Sequence, residues 1–299
     1  MCHLVSPDLN SMKKTPQLCF VQFMHPSKEH RPDSNGFKKW NTGAHKRKFL
    51  EVHGRCIRGD EDYNGPLHLW GEWEPESEVI STIDRPVPDG PQFIYRPFYY
   101  RPVSYTGLQN TDPFVFGAFY YSGCKQFNAK GATQLRSLER GSVVLFGSQV
   151  SRKFVIDTVF VVDRWEDHSR ENFPSFESKV SNTFMDVTLK PWHWGQAEES
   201  HCHVEDNSSL RLYWGATYES PVDGMFSFFP ASPTEETPNG FARPWIRIPG
   251  ILNDQNRQAT KLNSGSSKDE VKKYWQETRR QVESQGLWCG VSALEPGIR

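Results

Sequence analysis

Prolines and glycines set the first limit on this chain. With 21 prolines and 22 glycines among 299 residues, turns recur too often for a bundle of long helices, because each proline fixes φ and removes a backbone donor. The density peaks at Pro86, Pro88, Pro91, Pro97 and Pro102. That spacing precludes a central strand or a helix between Ser81 and Val103, and predicts an extended belt across the core. Only one segment supports a long helix. From about Ser267 to Gln285, Val271, Tyr274, Trp275, Thr278 and Val282 recur at helical spacing, and Gly286 terminates the run.

Aromatic content sharpens the fold class. Ten tryptophans, 10 tyrosines and 20 phenylalanines accompany a mean hydropathy of -0.67, which suits short strands whose rings fill a core between polar loops. Strands are expected in Gln17 to Met24, Leu67 to Glu74, Thr183 to Leu189, Leu210 to Tyr218, Gly224 to Ala231 and Leu287 to Leu294. Gly141 to Ser148 and Lys153 to Val162 form the clearest strand pair, the four residues between them allowing a hairpin or a tight local connection, and Ala132 to Arg140 reads as a short helix. The expectation is an α+β, β-rich fold with mixed or antiparallel sheets or a partly closed barrel, short helices and one longer C-terminal helix. The length fits one compact unit with two lobes, residues 1–165 and 166–299. The run LRSLERGSVVLFGS followed by KFVIDTVFVV resembles small β-barrels of the PUA and ASCH type. It covers a small fraction of the chain and contains no diagnostic residue, so no family is assigned from it.

A net charge of -1 provides no global attraction to nucleic acid or to an anionic membrane, so any such contact needs a local patch. The six cysteines are scattered without a Cys-x-x-Cys pair, which, with no signal peptide legible, is the pattern of free thiols in a reducing cytoplasm. No apolar run reaches the length needed to cross a bilayer. Walker, Rossmann, GxSxG and HExxH patterns are absent, which argues against P-loop NTPases, Rossmann dehydrogenases and α/β-hydrolases. His201 and His203 share a face of an extended segment, half of a metal site, but no remaining ligands are identifiable. No metal or cofactor is assigned.

The chemistry-bearing residues centre on Leu67 to Ser77. Read as a strand ending at Pro75, this stretch places Leu67, Leu69 and Trp73 on one face and His68, Trp70, Glu72 and Glu74 on the other. Glu72 and Glu74 would then have Cα atoms ~6.6 Å apart, a spacing suited to acid–base division of labour at a glycosidic bond. Asp112, before Pro113, reads as a backbone cap or as a second carboxylate delivered with Asn110 by a turn. Asp157 interrupts a valine face and therefore needs a partner or carries a raised pKa. His25 and His30 are candidate proton shuttles.

A basic stretch precedes the acid pair. Lys38, Lys39, His45, Lys46, Arg47 and Lys48 surround Trp40, a combination able to neutralise phosphate and stack a base. Trp70 would supply a second aromatic platform, and Arg243 lies beside Trp245. Together these features point to an enzyme acting on a nucleotide or nucleic acid by hydrolysis or transfer at a glycosidic or related bond. A non-catalytic module for a nucleotide signal or modified base uses the same groups for binding alone. A carbohydrate-active protein is the third alternative, and it predicts little effect of reversing the charge of Lys38, Lys39, Lys46 and Lys48.

Overall fold

The computed structural model describes residues 15–38, 46–101, 111–128, 131–195, 209–254 and 261–299. Its first half contains β1 (Cys19–Met24), β2 (Phe37–Lys38), β3 (Lys48–Arg58), β4 (Glu61–Gly71), β5 (Ser77–Thr82), β6 (Phe93–Tyr99), β7 (Tyr120–Tyr121), β8 (Phe127–Asn128) and β9 (Gly131–Ala132). β10 (Val143–Val150), β11 (Lys153–His168), β12 (Leu210–Gly215), β13 (Phe229–Pro233), β14 (Lys261–Ser264), β15 (Trp288–Ala293) and β16 (Gly297–Ile298) follow. One sheet has the order β14-β1-β10-β11-β12-β7, and the other β15-β13-β4-β3-β6-β5-β2. The chain is β-rich, with both parallel and antiparallel pairs, few short helices and one long C-terminal helix.

The second sheet closes on itself because β3 changes partners along its length. Phe49 and Leu50 lie beside β6, whereas Gly54 to Ile57 lie beside β15. β15 also pairs with β13, which pairs with β4, so β3, β4, β13 and β15 form a ring. Glycine is required at that turn of partnership: a Cβ on Gly54 would lie 2.2 Å from the Ser292 carbonyl oxygen. Alternation along β4 divides the core as its sequence predicts. Leu67, Leu69 and the following Trp73 enter one apolar cluster, and Trp70 the other.

Several local expectations need correction. β4 ends at Gly71, so Glu72 and Glu74 follow the strand and do not share a row on it. The charged run Arg58 to Gly65, which its composition marks as a hairpin connection, is mostly strand: the turn between β3 and β4 is only Gly59 and Asp60, with Arg58 opposite Glu61. Phe93 to Tyr99 is a strand between β3 and β5, not a belt, despite Pro97. Phe98 N–H donates to Glu76 O toward β5, so Pro97 lacks its donor on the opposite side. There it falls between the residues that pair β3 (Ile94, Tyr95) and those that pair β16 (Phe98, Tyr99), where the ladder asks for none.

Thr183 to Leu189 is helical instead of extended. Asn182–Phe184, a π-wound Met185–Leu189 and Lys190–Gly195 follow one another, started by the Ser181 side chain accepting from Phe184 N–H. Every residue from Thr183 to Leu189 is buried, and a short run buried on all sides has no period that separates helix from strand. Ala132 to Arg140 forms only a 3₁₀ turn, Gln134–Ser137.

The hairpin of β10 and β11 is present, with a two-residue loop, Ser151–Arg152, at φ of 49° and 63°. Both residues occupy the left-handed region that favours asparagine or glycine. Arg152→Gly should raise stability by roughly 0.5–1 kcal/mol, read as a higher urea midpoint with unchanged slope. The C-terminal helix, Lys268–Ser284, begins with a reciprocal capping box between Ser267 and Glu270 and buries Val271, Trp275, Thr278 and Val282. No helix among the described residues is long and apolar enough to cross a membrane. The four cysteines among the described residues, Cys19, Cys56, Cys124 and Cys289, are free thiols.

Candidate functional site

Where the two sheets meet, the ends of several strands bring ionisable side chains together. β1 ends before His25, β3 begins after Arg47 and β4 ends before Glu72, while Asp157 comes from the middle of β11. Arg47 is fully buried and joins the group: Nε donates to Asp157 Oδ2 at 2.6 Å and Nη1 to Glu72 Oε2 at 2.7 Å. His25 Nδ1 lies 3.2 Å from the same Glu72 oxygen. Burial disfavours the guanidinium charge, but Asp157 and Glu72 together hold the Arg47 pKa above its usual value. Burial raises the Asp157 carboxyl against the pull of Arg47 and Arg243. The partner that the valine face of β11 demanded is therefore an arginine.

Backbone contacts hold these groups in place. His25 N–H donates to Gly147 O, and Lys28 O and His30 N–H pair with the Arg47 peptide on either side. Arg243 arrives on an extended segment beside β11, since Ile156 N–H donates to Pro244 O. Its Nη1 donates to Ser148 Oγ and its Nη2 to Ser27 O, and its guanidinium lies over Trp70 at 5.1 Å. Burial lowers the Arg243 pKa to about 10.

A second layer starts at Asp112, also fully buried. Its carboxylate accepts from the N–H groups of Ser122, Gly123 and Cys124 at 3.0, 2.9 and 2.8 Å. Burial raises this carboxyl to about 7; the three peptide donors pull it down, and Glu72 adds repulsion. Asp112 is thus a backbone clasp within electrostatic reach of Glu72. Beyond it, His168 Nε2 faces Ser122 O at 3.2 Å, so that nitrogen carries the proton; His168 Nδ1 then accepts from His193 Nε2 at 2.7 Å. Burial pushes His168 down to about 4 and His193 to about 3. The pair is neutral.

These shifts have opposite consequences for stability. Folded Asp112 keeps its proton to about 7, while the unfolded carboxyl loses it at 3.8. Its contribution is complete below the lower value and is lost as pH rises through the upper one. The histidines charge at 6.5 when unfolded and resist to about 4 and 3 when folded, so theirs is lost as pH falls. Asp112→Asn removes only the first effect. In urea unfolding at about pH 5 and about pH 8, the variant should gain on the parent protein at the higher pH.

The structure therefore gathers His25, Arg47, Glu72, Asp157 and Arg243, with Asp112 close behind. Glu74 is buried beside them, its N–H donating to Thr111 Oγ1. His30 is buried on the segment that pairs with Arg47. Other candidates have structural partners. Lys48 is fully buried and donates from Nζ to Pro75 O and Ser77 Oγ. Trp70 is a core residue at 3% exposure, its indole N–H given to Phe241 O and its ring against Phe49, and so presents no open stacking face. Lys46 is half-buried, and Lys38 pairs with Ser77 through its backbone. Lys39, Trp40, His45, Asn110, His201 and His203 lie outside the described residues.

Sequence reasoning missed Lys125. This residue is in the left-handed region at φ 59°, an uncommon conformation for a lysine. Its ammonium donates to Met24 O, next to His25, and lies 4.8 Å from the Phe23 ring. Burial lowers the Lys125 pKa. The Gly123–Cys124–Lys125 sequence suggests a turn but contains no sign of this placement. Among the described residues no group of three or more His, Cys, Asp or Glu side chains is arranged to hold a metal ion. Comparison with known protein families, with curated proteins and with solved structures finds no match to this chain.

Proposed function

We propose that this protein is an enzyme acting on a nucleotide or nucleic acid, by hydrolysis or transfer at a glycosidic or related bond. Glu72 is the general acid or base, His25 exchanges protons with it, and Asp157 is the second carboxylate. The observation that carries this reading is the convergence of Arg47, Glu72, Asp157, His25 and Arg243, all at least nine-tenths buried, from separate segments of both sheets. Each buried ion costs several kcal/mol of desolvation, and an apolar replacement of similar volume is often as stable. Such a cluster is an expensive way to build a core, and perturbed ionisable groups gather where chemistry is done.

A second reading is favoured by a particular contact. Arg47 donates to one oxygen of Glu72 and one of Asp157, an arrangement that also suits hydrogen bonding to a base edge without turnover. The two readings separate in one experiment. The full-length protein is incubated with mononucleotides, dinucleotides and oligonucleotides, and products are read by mass spectrometry. A released base or transferred group that disappears in Glu72→Gln supports the enzyme. Retention of intact ligand with no product in any incubation supports the binding module.

A further inference from the structure

The segment that delivers Arg243 continues alongside the C-terminal helix, and two glutamines zip it there. Trp245 N–H donates to Gln285 Oε1 and its carbonyl accepts from Gln285 Nε2, both at 3.0 Å. Gln281 holds the Arg247 peptide in the same way, at 2.8 and 2.9 Å. The two spacings agree, since two extended residues advance ~6.6 Å and four helical residues ~6 Å. The next pair in that series is Pro249 with Glu277. Pro249 has no N–H and a carboxylate has no donor, so neither half of the bond can form. The zipper stops there, and an open groove of about 480 Å³ follows, lined by residues 247–249 on one side and by Lys273, Tyr274, Glu277 and Arg280 on the other. Its volume lies in the range of small-molecule sites.

The charges along the groove do not cancel. Glu277 accepts from Arg280 at 2.6 and 2.9 Å and from Gln281 Nε2 at 2.7 Å, bonds that hold its carboxyl down at about 2. Glu277 and Arg280 therefore neutralise one another. Arg247 and Lys273 are exposed, and among the described residues no carboxylate forms an ion pair with either. Lys273 acts through space on Glu270, but that carboxylate is committed to Ser267. One uncompensated cation thus stands on each wall. The remaining lining offers apolar surface: Ile248 is buried, and the half-buried Tyr274 ring is set by an edge contact with Phe20 at 5.3 Å. A monoanion matches only one of the two cations. A phosphate monoester, with about -1.5 to -2 charges at neutral pH and three acceptor oxygens, matches both.

We infer that this groove binds a small soluble phosphate monoester whose dianion is held by Arg247 and Lys273 and whose ring or other apolar body lies against Ile248, Pro249 and Tyr274. The groove shares no residue with the cluster around Arg47, so it is a second site, independent of the chemistry proposed there.

Calorimetric titration of the full chain at about pH 7.5, where the monoester is close to a dianion, uses phenyl phosphate as the probe. Benzenesulfonate keeps the ring with a single charge, and inorganic phosphate keeps the charge without the ring. Phenyl phosphate should bind at least about tenfold tighter than either. Arg247→Gln and Lys273→Gln should each weaken it by about tenfold. Thermal unfolding should not move, because neither side chain makes a hydrogen bond or ion pair among the described residues. Lys268→Gln, on the same helix but outside the groove, should leave binding as it is. Equal affinity for benzenesulfonate or for inorganic phosphate overturns the inference, as does phenyl phosphate binding that survives both groove substitutions. Tighter binding of a single-stranded oligonucleotide, or of vesicles containing phosphatidic acid, would assign the groove to a polymer or a lipid surface instead. Absence of phenyl phosphate binding ends the idea outright.

Discussion

Replacing Arg47 with methionine should destabilise the protein by about 3–5 kcal/mol, the range found when one partner of a buried ion pair is removed. Methionine keeps much of the side-chain volume, so the loss comes from charge. Asp157 and Glu72 would remain buried with no cation between them, each having lost a bond of 2.6 or 2.7 Å. The control is the triple variant Arg47→Met, Glu72→Gln, Asp157→Asn, in which no carboxylate is stranded and Arg243 keeps its bonds to Ser148 and Ser27. It should regain most of the loss, because the penalty belongs to the stranded carboxylates and not to the arginine itself. Urea midpoints at constant slope measure both steps. A loss below about 1 kcal/mol for the single change would mean that water reaches the cluster and screens it.

Glu72→Gln should lower turnover of the substrate identified by mass spectrometry by about 10²–10⁴-fold, the usual contribution of a positioned acid or base. The amide keeps an acceptor for Arg47 Nη1 and nearly the same volume, so the fold should survive. His25 supplies the internal check. Its Nδ1 faces Glu72 Oε2 at 3.2 Å, so His25→Asn should also slow the reaction, and the double variant should be little worse than Glu72→Gln alone if the two act as a unit. Additive losses would show that they work separately. Folding is monitored in parallel by thermal unfolding, so that lost activity is not confused with lost protein.

The candidate site is partly legible in the sequence. Glu72, Asp157, His25, Arg47 and Arg243 stand out as charged or imidazole groups near apolar strands, and the valine face around Asp157 announces a buried carboxylate that needs a partner. Their grouping is not legible there, since Arg47 and Asp157 are separated by 110 positions and no local pattern links them. The roles of Lys48 and Trp70 are hidden for a related reason. Composition cannot distinguish a lysine that faces a ligand from one that satisfies Pro75 O, or an indole that stacks a base from one whose N–H is given to Phe241 O.

The alternation of Leu67, Leu69 and Trp73 against Trp70, the strand pair of β10 and β11, and the helix from Lys268 to Ser284 follow from the sequence alone. Each rests on a period or a cap that a few neighbouring residues define. Tertiary structure decided what those rules leave open. It placed the proline-bearing β6 inside a sheet, wound Thr183 to Leu189 into a helix, and turned the charges of Arg47 and Lys48 inward. Each of these outcomes depends on which distant backbone or carboxylate lies alongside, and short-range preference weighs less than satisfying a buried donor or charge.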